Sequence, residues 1–272
     1  MRPCNLGIGV GLRPAHYREI FASFPPIDWF EIIGENFIDA PAQVDANLER
    51  IVAQYPVVIH CVSLSIGGPQ PLDFDFLKKI KNLARKIKAP WISDHLCWGQ
   101  VPGSHLHDLL PLPFTHETLA YAAERARIVQ DYLELPFALE NLSSYASFHA
   151  DAMNEWDFYA GVVDKGGISM MLDVNNIYVS SRNQGFAPAD YYRKLPLDKV
   201  IQIHLAGHAD YGTYCLDTHD RHVCDAVWQI YADVYAETGP VSTLLEWDDR
   251  FISFDATWQE ALRAKQFQLA LQ

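Results

Sequence analysis

The chain is short of positive charge. Its 272 residues carry 21 Lys and Arg against 34 Asp and Glu, a formal charge of −13. Nucleic-acid phosphate binders usually show a basic patch, so that class of partner is set aside. Cysteine is sparse: Cys4, Cys61, Cys97, Cys215 and Cys224 are odd in number and form no CxxC pair. That pattern does not build a disulfide framework and fits a reducing cytosol, so a cytoplasmic protein is expected. No stretch reaches the roughly 18 apolar residues of a membrane helix. The opening MRPCNLGIGVGLRP lacks the continuous apolar core of a signal peptide. Low-complexity segments, linkers and a fixed sequence period are absent too.

Apolar residues are plentiful, at 49% hydrophobic against 20% charged, so a large core is available. The length suits one barrel of alternating strands and helices, and residues 1–272 are expected to form a single domain. Strands are expected at 6–12, 29–35, 57–62, 91–96, 137–141, 168–174, 200–205 and 242–247. Helices are expected at 14–24, 42–54, 74–87, 115–133, 155–164, from Pro188, 223–237 and 255–271. Asp73 and Thr115 are plausible N-caps. The alternating glycines of LGIGVGL suit a close approach by a neighbouring layer. The segment with Asn175, Asn176, Asn183 and Gly185 reads as a loop, as does the long CWGQVPGSHLHDLLPLPF. These eight strand–helix units predict an α/β fold, a (β/α)8 TIM barrel.

Six of the runs stop on a residue able to bind a metal. VVIHC ends at His60, WISDHLCW carries His95, PFALENLSSY Glu140, SMMLDVNNIY Asp173, VIQIHLAGH His204 and TLLEWDD Glu246. These residues are about 30 to 45 positions apart, the length of a strand, a helix and two loops. In a closed parallel barrel they converge at one mouth. Any one alone is more often a hydrogen-bonded structural residue. Together they point to a metal, because clustered carboxylates repel unless a cation or proton neutralises them. Asp217 and His219 of DTHD add two candidates, although Asp217 or Asp220 could instead cap the following helix. Asn141 and Asn176 are further candidate ligands, and Asn175 or Asn176 could alternatively hold a substrate amide. His208 and Asp210 rank lower. His105 and His107 read as supports or loop anchors, and Glu35 and Asn36 as pocket lining. Cys61 should face away from His60, toward the helices. Trp91, Trp98, Tyr145, Tyr178 and Trp247 lie near the mouth and read mainly as packing residues.

Imidazole with carboxylate suits Zn, Mn or Fe, and spacing does not choose among them. Eight or more ligands exceed what one ion needs, so two or three ions bridged by carboxylates are implied.

SDHLCW, HLHDLLPLPFT, ALENLSSY, LDVNNIYVSS, QIHLAGH, DTHD and LLEWD, in this order, resemble the multinuclear non-haem iron-dependent oxidase family. The likeness runs over almost the whole chain. It implies a barrel of the xylose-isomerase type with two or three irons in mixed Fe(II)/Fe(III) states. By motif, His60, His95 and Glu140 would hold one iron. Glu140, Asp173, His204 and Glu246 would hold its neighbour, with Glu140 as bridge. Asp217 and His219, with Asn141, would serve a third. The resemblance further implies O2 as co-substrate and a ribosomally made precursor peptide as substrate. A substrate Cys thiolate would bind a ferric ion, O2 would bind a ferrous neighbour, and hydrogen would leave the Cys β-carbon. A partner protein that recruits the peptide leader is implied as well.

The alternative is a divalent-metal hydrolase or isomerase of the endonuclease IV or xylose-isomerase type. The acidic charge counts against a DNA enzyme, and the strand ends offer no Lys of the kind an isomerase would use. A metal-storage or metal-sensing protein is a third class.

Overall fold

Short runs of apolar and β-branched residues form eight strands of four to six residues. They are β1 (Ile8–Gly11), β2 (Trp29–Ile33), β3 (Val57–His60), β4 (Ile92–His95), β5 (Phe137–Glu140), β6 (Ser169–Asp173), β7 (Val200–Leu205) and β8 (Ser242–Leu245). All pair in parallel and close into one barrel in the order β1-β8-β7-β6-β5-β4-β3-β2. The expected (β/α)8 architecture is therefore the fold. The computed structural model describes residues 2–101 and 103–269. The side chains of His105 and His107, and the last residues of the helix expected to reach Leu271, lie outside the described residues.

The helices are α1 (Tyr17–Ser23), α2 (Ala42–Val52), α3 (Phe74–Ile87), α4 (His116–Leu133), α5 (Glu155–Gly166), α6 (Val174–Gln184), α7 (Pro188–Tyr192), α8 (Asp225–Thr238), α9 (Phe254–Leu262) and α10 (Ala264–Leu269). Asp73 caps α3, accepting from the N–H groups of Asp75 and Phe76 at 2.9 Å each. Thr115 caps α4 through the Thr118 N–H at 3.1 Å. The buried stripes of these helices and the outward faces of the strands form the main core.

Inside the barrel lies a second, separate apolar layer. Trp29, Val58, Trp91, Ala138, Met171, Ile201 and Leu244 fill its lower half. A Cβ on Gly9 would come within 2.6 Å of the Trp29 indole, so the glycine makes room for that ring. Trp91 thus belongs to the barrel floor and not to the mouth.

Several expectations need correction. Residues 174–184 are helix α6, not a loop. Asp173 caps it by accepting from the Asn176 N–H at 2.6 Å, and Gly185 ends it in a left-handed conformation. β2 stops at Ile33, and Gly34–Asn36 form a 3-10 turn. There the Glu35 carboxylate accepts from the Val62 N–H at 2.9 Å and ties the turn to the neighbouring loop. The loop after β4 contains an antiparallel hairpin, Trp98–Val101 with Ser104–Leu110. A two-residue pair, Ala209–Asp210 with Cys215–Leu216, folds the loop after β7. β8 ends at Leu245, which leaves Glu246 and Trp247 just beyond it. The first helix begins as a 3-10 turn at Pro14, and the last divides between α9 and α10.

Candidate metal centre

Strand register brings the candidate ligands together. His95 pairs with Glu140 across β4 and β5, and Asp173 pairs with His204 across β6 and β7. His60 pairs with Ser93, so His95 lies one inward-facing step above it. Glu246 follows β8, next to the level of His204. His219 reaches in from the loop after β7, with its backbone in the left-handed region at φ 47°. His60, His95, Glu140, Asp173, His204, His219 and Glu246 are all buried.

These side chains form three linked groups. In the first, Glu140 Oε2 is 3.3 Å from His60 Nε2 and 3.2 Å from His95 Nε2. In the second, Glu140 Oε1 is 3.2 Å from His204 Nδ1, with Asp173 and Glu246 completing the set. In the third, His219 Nδ1 lies 3.1 Å from Glu246 Oε2 and 3.4 Å from Asp248 Oδ2. Asp217 Oδ1 sits at the other ring nitrogen of His219, at 2.7 Å. Glu140 thus offers one oxygen to each of two groups, and Glu246 joins the second to the third.

The donors are under-satisfied as protein atoms. His95 Nδ1, Glu140 Oε2, Asp173 Oδ2, His204 Nδ1 and His219 Nε2 are buried and make no hydrogen bond of good geometry, even where a carboxylate oxygen such as Asp217 Oδ1 lies close. Such orphans are costly. A cation coordinated here would satisfy most of them, so the residues present fit a metal centre of imidazole and carboxylate. The electrostatics agree. Burial pushes Glu140 up to about 7 and Asp173 well above the usual carboxylate range. Burial lowers His60 well below the imidazole range and His95 to about 4. Burial opposes charge on His204 too, but Glu31 and Glu140 outweigh it and raise its pKa well above normal. Asp217, Asp248 and Glu246 do the same for His219. Glu246, despite burial, is held well below the carboxylate range by His204 and His219. Without a cation, the cluster is neutralised by protons, which a metal would displace.

Not every candidate faces this cluster. The Asn141 amide spans the Asp173 backbone, donating to its carbonyl at 3.0 Å and accepting from its N–H at 2.9 Å. Asn176 donates to the Asn141 carbonyl and accepts from Ser143. Both amides clamp the strand ends that carry Glu140 and Asp173. Asn175 donates to Asp217 at 2.8 Å and contacts His208 at 2.7 Å, which places this pair behind Asp217. Asp210 lies out on the loop, paired with Arg182. Cys61 faces the helix layer, where it lies with Glu35 and Asp94. The buried Asp94 carboxylate is satisfied by the N–H groups of Leu64 and His95.

Four neighbours escape the strand-end pattern. Ser93 Oγ meets His60 Nδ1 at 3.0 Å. Arg13 pairs with Asp248 and lies 3.5 Å from Glu246. Asp248 joins the third group. Glu31, in the middle of β2, lies 3.1 Å from His204 Nε2. A lone acid inside the apolar run WFEII was the visible signal for Glu31.

Residues 7–269 match the family described as RiPP precursor modification enzyme MbnB/TglH/ChrH. A UPF0276 protein of Anaeromyxobacter sp. (strain Fw109-5) is 46% identical, over 97% of this chain and 94% of that protein. A UPF0276 protein of Acaryochloris marina (strain MBIC 11017) is 41% identical, over 95% and 93%. Among solved structures, a D-psicose 3-epimerase from Clostridium cellulolyticum H10 aligns with a TM-score of 0.63 at 13% identity, covering 97% of this chain and 98% of that one. A D-tagatose 3-epimerase-like protein aligns equally well, at 0.63 and 13%, over 97% of both chains. At such identity these structures speak for the barrel alone.

Proposed function

We propose, from the premise that the chain belongs to the MbnB/TglH/ChrH family of RiPP precursor modification enzymes, that it is an O2-dependent oxidase that modifies cysteine residues of its precursor peptide. In this reading it holds two or three irons in mixed Fe(II)/Fe(III) states. The observation that carries the reading is the double use of Glu140, whose two oxygens serve two adjacent donor groups. His60, His95 and Glu140 would hold one ion. Glu140, Asp173, His204 and Glu246 would hold the second. His219, with Asp217 and Asp248 on its two nitrogens, would serve a third together with Glu246. Asn141 and Asn176 act by fixing the strand ends.

Iron bound there would supply one-electron chemistry with O2 and a position for a soft thiolate, whose pKa a cation lowers. The chain's own part is to bind and orient. Ser93 and Glu31 hold the rings of His60 and His204 from behind, and Arg13 offsets the carboxylates at the rim. The mouth also suits a peptide-sized substrate. The exposed side chains of Val62, Leu106, Tyr145, Phe148, Tyr211, Tyr214, Leu216 and Phe251 all belong to segments that follow barrel strands. The Tyr145 hydroxyl accepts from the Asp217 N–H at 2.9 Å and ties this rim to the donors. The leader-recruiting partner protein belongs to the same proposal. So does a cytoplasmic setting, which the five free thiols support. Among the described residues no helix is long and apolar enough to cross a membrane.

The alternative, a divalent-metal isomerase, draws on the barrel shared with sugar epimerases. Against it, the cation paired with the rim carboxylates is Arg13 and not a lysine. Elemental analysis with Mössbauer spectroscopy, followed by O2 uptake in the presence of a cysteine-containing precursor, separates the two. Two or three irons per chain with peptide-dependent O2 consumption supports the oxidase. Stoichiometric zinc or manganese, with iron unable to support O2 uptake, would sink it.

A further inference from the structure

Glu31 is a buried, inward-facing acid that none of the three donor groups includes. It is 3% exposed and sits in the middle of β2. Its Oε1 and Oε2 lie 3.1 and 3.4 Å from His204 Nε2, which also has Gln202 Nε2 at 2.7 Å. Of these neighbours only the carboxylate, which can accept and not donate, calls for a proton on Nε2. Its Oε2 accepts from Gln202 Nε2 at 2.6 Å. The Gln202 carbonyl in turn accepts from Trp91 Nε1 at 2.8 Å, and Trp91 is locked in the apolar floor. A hydrogen-bonded column therefore rises from the floor to the back of the His204 ring. On the front of the same ring, Nδ1 faces Glu140 and Glu246 at 3.2 and 3.4 Å.

Burying a carboxylate is expensive, and an apolar residue of similar size would fill this position at lower cost. Nothing else in the column needs a negative charge. An imidazole that donates from Nε2 to a carboxylate keeps its lone pair on Nδ1 and stands in one plane. We infer that Glu31 is a positioning residue: it takes the Nε2–H of His204 and so fixes the tautomer and ring orientation that present Nδ1 as a metal donor. Gln202 and Trp91 hold Glu31 in turn. The inference rests on His204 being a metal ligand, as proposed above, but not on the reaction catalysed. The two histidine sites differ in this respect, since His60 is backed by a neutral hydroxyl, Ser93.

The test is an anaerobic titration of the metal-free, full-length protein with Co(II) alone, followed by visible absorption, for wild type, Glu31→Ala and Glu31→Gln. His204→Ala marks the binding step that belongs to this group. Glu31→Ala should weaken that step about 10- to 100-fold and change its absorption bands, leaving the other steps alone. Glu31→Gln, whose amide oxygen can still accept from Nε2–H, should recover affinity to within about tenfold of wild type. The metal-free melting temperature of Glu31→Ala should fall, because one partner of the buried Glu31–His204 pair is removed, so Glu31→Gln carries the comparison of metal affinity. Wild-type affinity and spectrum in Glu31→Ala would overturn the inference. So would equal losses of metal affinity in both variants, which would make Glu31 a packing residue. Failure of the wild type to take up Co(II) at the His204 step would overturn it as well. Co(II) binding that follows the expected pattern, with no O2 uptake by the iron form, would leave the inference standing and remove the oxidase reading.

Discussion

The lower and upper halves of the barrel interior are built from the same eight strands and have opposite chemistry. Below, Trp29, Val58, Trp91, Ala138, Met171 and Leu244 make a dry plug. One inward-facing step above them stand Glu31, His60, Ser93, Glu140, Asp173 and Glu246. In these six strands a step of two residues leads from stability to chemistry. The plug is satisfied as it stands, whereas Glu140 and Asp173 in the layer above, with His95, His204 and His219 around them, keep five buried polar atoms without hydrogen bonds. The contrast teaches that the upper layer is built for something added to it. Glu155 sharpens the point from outside the barrel. It too is a buried acid, but Ser144 Oγ at 2.5 Å and Tyr191 Oη at 2.9 Å satisfy both its oxygens.

The contrast can be broken from either side. Trp29→Ala should cost the most stability, about 3–5 kcal/mol by urea denaturation, because it leaves a cavity in the plug. The folded fraction should still bind metal. Glu140→Gln should do the reverse, with a metal-free melting temperature at or above that of wild type. Elemental analysis of that variant should show more than half the metal lost, since both adjacent groups share this residue. A Glu140→Gln protein with full metal content would mean that the upper layer is not the metal centre.

Asn141→Ala comes next, at about 1–3 kcal/mol, because it strips a buried partner from the Asp173 backbone. Metal affinity should fall moderately, through disorder at Asp173 and not through loss of a donor.

The smallest effect is expected at Glu155. Burial raises its pKa from 4.5 to about 7. Between those values the native state holds more protons than the unfolded state, so stability falls as pH rises across that window and is flat above it. Glu155→Gln should remove this fall. Melting temperatures of wild type and variant should therefore diverge from pH 5 to pH 7 and then run parallel. The stabilisation brought by added metal should survive in Glu155→Gln and disappear in Glu140→Gln. If both variants lose it equally, the distinction between satisfied and orphaned acids fails.

Much of the architecture was legible along the chain. All eight strands lie where β-branched runs predicted them, and α3 and α4 begin at the caps their sequences announce, because those signals are local. The segment after Asp173 misled, since Asn, Ser and β-branched residues are weak helix formers. Its two ends, Asp173 and Gly185, did mark a helix. Glu35 and Asn36 looked like a strand end because the apolar run continues to Gly34, and only the tie from Glu35 to Val62 shows the turn. Arg13 and Asp248 carry no local sign of their pairing, being 235 residues apart in sequence.

The sequence by itself determined the barrel, the mouth at which six runs terminate, and the donor types gathered there. Periodicity and side-chain chemistry are properties of neighbours along the chain, and they suffice for that much. Tertiary structure alone decided which oxygen of Glu140 serves each group, that Glu246 links the second to the third, and that the Asn141 and Asn176 amides clamp the strand ends. It also decided that Glu31 stands behind His204. Those facts depend on strand register around the barrel, where residues distant in sequence, as far as 173 positions for Glu31 and His204, come into contact, and no local pattern encodes a distance of that kind.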